Sequence, residues 1–155
     1  MTRQSVGAVE FRDLGFNTRA RIVITRIPEN NMTNIFLNLD VDGIGVIGAG
    51  DCEIGLDSEN TRRVLTLVHQ AMSTLSRENH SWQRVGEAEF SWSDQSESKS
   101  GEDSGVVLIE SNGVALRMVI RTKSGVWEPY VATFNFALVD DLSTLLSRAT
   151  LIPSR

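Results

Sequence analysis

The chain has 155 residues, 41% of them hydrophobic and 23% charged, and carries a formal net charge of −5. That length is enough to bury a core without disulfides or metal, and the composition is neither that of a disordered chain nor that of a membrane-embedded one. Cys52 is the single cysteine, which excludes an internal disulfide and any zinc site built from two thiolates of one chain.

No apolar stretch approaches the roughly 20 residues of a membrane span, and no membrane partner is expected. Met1 to Asp13 lacks a hydrophobic core of the signal-peptide kind. Export by that route is therefore not expected, and a cytoplasmic location is.

From Val6 to about Leu56 the pattern is strand-like, with turn residues between runs. Ala20, Ile22 and Ile24 share one side of a strand and Arg19, Arg21 and Val23 the other, because side chains alternate. The even side is the expected core face. The next run reverses parity and groups Ile35, Leu37, Leu39 and Val41, with Pro28-Glu29-Asn30-Asn31 as the turn of a hairpin.

Asp57-Ser58-Glu59 offers an N-cap with acids in the first turn, ahead of Val64, Leu65, Val68, Met72 and Leu75 at helical spacing. The spacing predicts a helix from about Ser58 to Arg77. Glu87 to Trp92 then alternates as a strand, and 93–105, rich in serine and acids, reads as a mobile loop.

Val106–Ser111 and Val114–Thr122 flank Asn112-Gly113, a strong hairpin signal because both residues tolerate the positive φ of a tight turn. A last strand, Tyr130 to Phe136, leads to Asp140 or Asp141 as the cap of a second helix. Leu142, Leu145, Leu146 and Ala149 form that helix's inner stripe, and Pro153 stops it.

The expected fold is α+β: antiparallel sheets with two helices in a single domain, 1–155. The element order also allows two strand-then-helix halves, 1–78 and 82–152. Met72-Ser73-Thr74-Leu75-Ser76-Arg77 resembles the Leu142–Arg148 segment, a weak trace of internal repetition.

Gly43-Ile44-Gly45-Val46-Ile47-Gly48 spells a dinucleotide fingerprint, but no helix opens at its last glycine, so it is read as turn chemistry. No cofactor is expected. Asp40, Asp42, Asp51 and Glu53 place four carboxylates in two short runs, a weak candidate for Ca²⁺ or Mg²⁺ without the spacing of an EF-hand loop. His69 and His80 pair with no recognisable nucleophile motif, and Asp51 and Glu53 disfavour a Cys52 thiolate. The chain is therefore not expected to be an enzyme.

Cations on strands are the most suggestive feature. Arg19 and Arg21 share one outer face and Arg117, Arg121 and Lys123 another, with Trp127 and Tyr130 near the second. Together they suit phosphate contact and base stacking on single-stranded DNA or RNA. The strand-then-helix order in two halves resembles, in architecture alone, Whirly and related transcriptional-coactivator proteins that bind single strands. By elimination the first expectation is a non-enzymatic module that binds a protein partner, with a homodimer as one form of it. The single-strand binder is the alternative, and a small metal-dependent protein using the carboxylates of 40–53 comes third.

Overall fold

In the computed structural model, residues 2–39, 51–75, 78, 80–95, 104–123 and 129–154 are described. A five-stranded sheet has the order β1-β2-β3-β4-β6, with β1 Gln4–Asp13, β2 Thr18–Ile27, β3 Met32–Asn38, β4 Asp51–Leu56 and β6 Trp92–Gln95. A four-stranded sheet has the order β5-β7-β8-β9, with β5 Gln83–Phe90, β7 Gly105–Ser111, β8 Ala115–Thr122 and β9 Tyr130–Asn135. All pairings are antiparallel. Helix α1, Ser58–Met72, follows the first meander and α2, Phe136–Leu151, the second. The fold is thus α+β, with a strand-rich half and its helix followed by another. No helix is long and apolar enough to cross a membrane among the described residues.

The two helices correspond position by position. The buried positions of α1, Thr61, Val64, Leu67, Val68 and Ala71, match Val139, Leu142, Leu145, Leu146 and Ala149 of α2 at one constant offset. Each helix is capped by the residue that leaves the preceding strand. Asp57 accepts a hydrogen bond from the Asn60 amide and Asn135 from the Ala137 amide, both at 2.8 Å.

The first strands match as well: Gln4, Val6, Gly7, Glu10 and Phe11 stand where β5 has Gln83, Val85, Gly86, Glu89 and Phe90. Both strands carry a bulge at the same place, between Ser5 and Gly7 and between Arg84 and Gly86. Gly7 then lies against Leu145 of α2, and Gly86 against Leu67 of α1. Each half's first strand therefore packs on the other half's helix: α1 lies mainly on β5 and β7, α2 mainly on β1 and β2, and the helices touch each other. One continuous core results, reaching from Ile22, Ile24, Ile35 and Leu37 through both helices to Ile109, Met118 and Ile120. Its apolar burial is the main favourable term in folding.

The sheets also join at their edges. Beyond β1 the Leu14 amide donates to the Thr133 carbonyl of β9, and beyond β5 the Ser91 amide donates to the Gly55 carbonyl of β4. At Ser91 the chain leaves the four-stranded sheet and continues as β6 beside β4.

Several expectations are corrected. The Glu87–Trp92 alternation belongs to two strands in different sheets, and Ser93 to Gln95 of the expected loop 93–105 are strand, because β4 offers them a free edge; 96–103 lie outside the described residues. α1 ends at Met72, where Ser73 to Leu75 form closing turns, and its buried stripe runs through Leu67 and Ala71, leaving Leu75 in solvent. α2 starts at Phe136 instead of Asp140 or Asp141, because Asn135 caps it with no intervening loop.

In the β7–β8 hairpin only Gly113 has positive φ. The Asn112 carbonyl accepts from the His80 amide, so its side-chain oxygen takes over the turn and accepts from Val114 and Ala115. Asn112 thus serves as an Asx-type acceptor instead of a positive-φ residue.

Candidate binding cleft

The cleft begins with Asp13. It is fully buried at the end of β1, and its two carboxylate oxygens accept from the backbone amides of Thr133 and Phe16, each at 2.7 Å. Those bonds clip the β1–β2 loop to the β9 edge of the four-stranded sheet. They also turn two large apolar side chains, Leu14 and Phe16, outward, where they remain 49% and 39% exposed.

Facing the loop is Arg117 of β8, whose guanidinium lies 4.3 Å from the centroid of the Trp82 ring. Arg117 Nε donates to Glu110 of β7 at 2.9 Å. Val114, Val131 and Thr133 complete a hollow of about 510 Å³.

The expected basic face is divided by this architecture. Arg19 and Arg21 are exposed on β2 in the five-stranded sheet, and Arg19 faces Glu10 at 3.5 Å. Arg117 and Arg121 lie on β8 in the other sheet, with Lys123 just beyond. Arg117 is committed to Glu110 and Trp82, whereas Arg121 and Lys123 are exposed and line a separate hollow of about 450 Å³ with Glu89, Phe90 and Thr122. Tyr130 is not on that surface. It is buried, its hydroxyl donates to the Leu37 carbonyl at 3.3 Å, and burial raises its pKa. Trp127 lies outside the described residues.

Of the four candidate metal ligands, Asp40 and Asp42 lie outside the described residues, as do Gly43 to Gly48. Asp51 and Glu53 share one face of β4, where Asn38 donates to Asp51 while Arg3 and Asn34 both donate to Glu53. No group of three or more His, Cys, Asp or Glu able to hold a metal ion occurs among the described residues.

Cys52 is buried on the opposite face of β4. Its pKa is pushed up to about 12, first by burial and then by Asp94 and Glu53, so the thiolate nucleophile is suppressed. His69 meets Ser143 of α2 at 2.6 Å and ties the helices together, and the His80 ring bonds the Ser81 carbonyl.

Leu14, Phe16 and Trp82 were not among the expected site residues. Their trace in the sequence is two large apolar residues inside a short loop, in Asp13-Leu14-Gly15-Phe16-Asn17, where polar turn residues are the rule.

The fold and this cleft define a two-sheet α+β module with paired halves and a partly apolar hollow at the joint between its sheets. Comparison with protein-family models, with curated proteins and with solved structures finds no match for this chain.

Proposed function

We propose that this chain acts by binding a protein partner in the cleft between the β1–β2 loop and the outer face of β8 and β9. One observation carries this reading: Leu14 and Phe16 are held out in solvent by a buried carboxylate clip, beside an arginine stacked on a tryptophan. A loop free to relax would fold such side chains inward. Here they are fixed outward at the cost of exposed apolar area. Aromatic and arginine side chains supply much of the energy at protein interfaces, and a bound segment would remove both loop residues from water. A second copy of the chain belongs to the same class of partner and is distinguished by sedimentation equilibrium.

Proteins retained by the immobilised chain, purified and titrated back, should bind Phe16→Asp at least about tenfold more weakly than the unaltered chain, a difference of about 1.4 kcal/mol. The side chain is exposed, so the melting temperature should hold. Equal affinity for the two chains would remove this cleft from the interface.

A second reading, single-stranded nucleic acid, is favoured by Arg121 and Lys123, which are exposed at one hollow and make no ion pair among the described residues. Labelled oligonucleotides followed by fluorescence anisotropy test it. Binding should weaken with salt, and the double replacement of Arg121 and Lys123 by alanine should flatten the log–log salt slope by roughly 0.7 for each phosphate no longer neutralised. Absence of binding at low salt ends this reading.

A further inference from the structure

We infer a second site, on the outer face of the five-stranded sheet, that takes a small planar heterocycle presenting an N–H donor beside a carbonyl. Asn34, Gly55 and Trp92 form one cross-strand row over β3, β4 and β6. Asn34 is only 4% exposed, and its Nδ2 donates to Glu53 Oε1 at 3.2 Å. A carboxylate can only accept, so this bond fixes which end of the amide is nitrogen. The oxygen is turned over Gly55 and accepts no hydrogen bond among the described residues. An unmet buried acceptor is costly, and a donor delivered to it stabilises whatever carries it.

The space around that oxygen has a defined shape. A methyl group placed on Gly55 would lie 3.2 Å from Asn34 Oδ1, 3.1 Å from Met32 Cε and 3.3 Å from Trp92 Cε3. Acceptor, thioether methyl and indole thus converge over the bare backbone of one glycine, which forms the floor of a hollow of about 330 Å³. Ile27, Asn30 and Arg3 complete it.

Arg3 is anchored by its Nη2 to Glu53 Oε1 at 3.0 Å, which leaves other guanidinium N–H groups at the rim for a ligand acceptor. Glu53 offsets the charge of Arg3, so the hollow favours a neutral ligand over an anion. Trp92 and Met32 suit the face and edge of a flat ring. The volume lies at the lower end of small-molecule sites, which sets the size at one or two rings.

The hollow recurs in the repeat. Arg3 stands immediately before β1 as Trp82 stands before β5, and Gly55 receives the Ser91 amide as Thr133 receives that of Leu14. It is therefore the first half's counterpart of the cleft in the second, with a lining of different chemistry, and it does not depend on the protein-binding reading.

The test is titration of the ¹⁵N-labelled full chain with oxindole and with N-methyloxindole, which keeps ring and carbonyl but lacks the donor. Oxindole should shift the Trp92 indole resonance and the amides of Asn34 and Gly55, and should bind at least about tenfold more tightly than the N-methyl compound. Gly55→Ala, which fills the floor, should abolish the shifts. Asn34→Ala should erase the difference between the two probes, a readout that does not rest on Gly55→Ala folding. Equal binding of the two probes, an unchanged response in Gly55→Ala, or no binding of oxindole to the unaltered chain, as expected if water alone serves the Asn34 acceptor, would overturn the site.

Discussion

Replacing Asp13 with alanine is expected to lower stability by about 3 to 4 kcal/mol, measured by urea denaturation. Each hydrogen bond to a charged acceptor contributes roughly 1.5 to 3 kcal/mol, and Asp13 makes one to Thr133 and one to Phe16. The two losses differ. Thr133 is buried, so its amide would be left without a partner, whereas Phe16 is exposed and its amide can return to water.

Asp13→Asn separates charge from shape. It keeps one acceptor but turns an NH₂ group toward a backbone donor, so it should lose roughly half as much stability or more. A loss under about 1 kcal/mol in Asp13→Ala would mean that the Leu14–Thr133 backbone bond holds the loop alone. The substitution also reports on function, because the same clip fixes Leu14 and Phe16. Partner affinity should fall in Asp13→Asn without any change in the residues of the contact surface.

Gly105→Ala is expected to cost at least about 3 kcal/mol, seen as a lowered melting temperature. A Cβ on Gly105 would collide with the backbone carbonyl of Arg121 and would stand 2.6 Å from Phe90 Cζ and 2.9 Å from Thr122 Cα. Two of these three atoms belong to the β8 backbone, which a rotamer change cannot move. Relief requires separating β7 from β8 at Gly105–Thr122, the pair that begins their ladder, while Phe90 is pushed deeper into a filled core.

Gly15→Ala is the matched control, since a Cβ there would meet only Asp13 Oδ2 at 3.3 Å and Thr133 Oγ1 at 3.4 Å. It should change stability by no more than about 1 kcal/mol. Similar effects for the two substitutions would show that the start of β7 yields easily.

Repetition in the chain is legible at positions that a comparison of similar helical runs passes over, and the reason is physical. The similarity between Met72–Arg77 and Leu142–Arg148 pairs the wrong segments, because those residue types recur in any helix. The true correspondence sets Leu67 against Leu145 and Gly7 against Gly86, positions where each helix presses on the first strand of the other half. At each contact a Cβ on the glycine would stand 2.5 Å from the leucine Cδ2, so the bare backbone lets the helix approach closely. The shared pattern of Gln, Val, Gly, Glu and Phe in β1 and β5 is therefore the informative trace.

Local chemistry determined much of this molecule from the sequence alone. The alternation of Ala20, Ile22 and Ile24 with Arg19 and Arg21 set the buried face of β2. The Asp57 cap placed the start of α1, and the leucine stripe chose the inner side of α2. These are period and capping effects that act within a few residues.

Only the tertiary structure decided what lies between distant segments. It moved Trp92 to Gln95 across to the first sheet, because β4 had an edge to fill, and buried Tyr130 against Leu37. It also separated the strand arginines onto two sheets and brought Leu14, Phe16, Trp82 and Arg117 to one hollow. Contacts of this kind depend on which sheet edge meets which, a choice made by the summed burial of the whole core and not by any short run of residues.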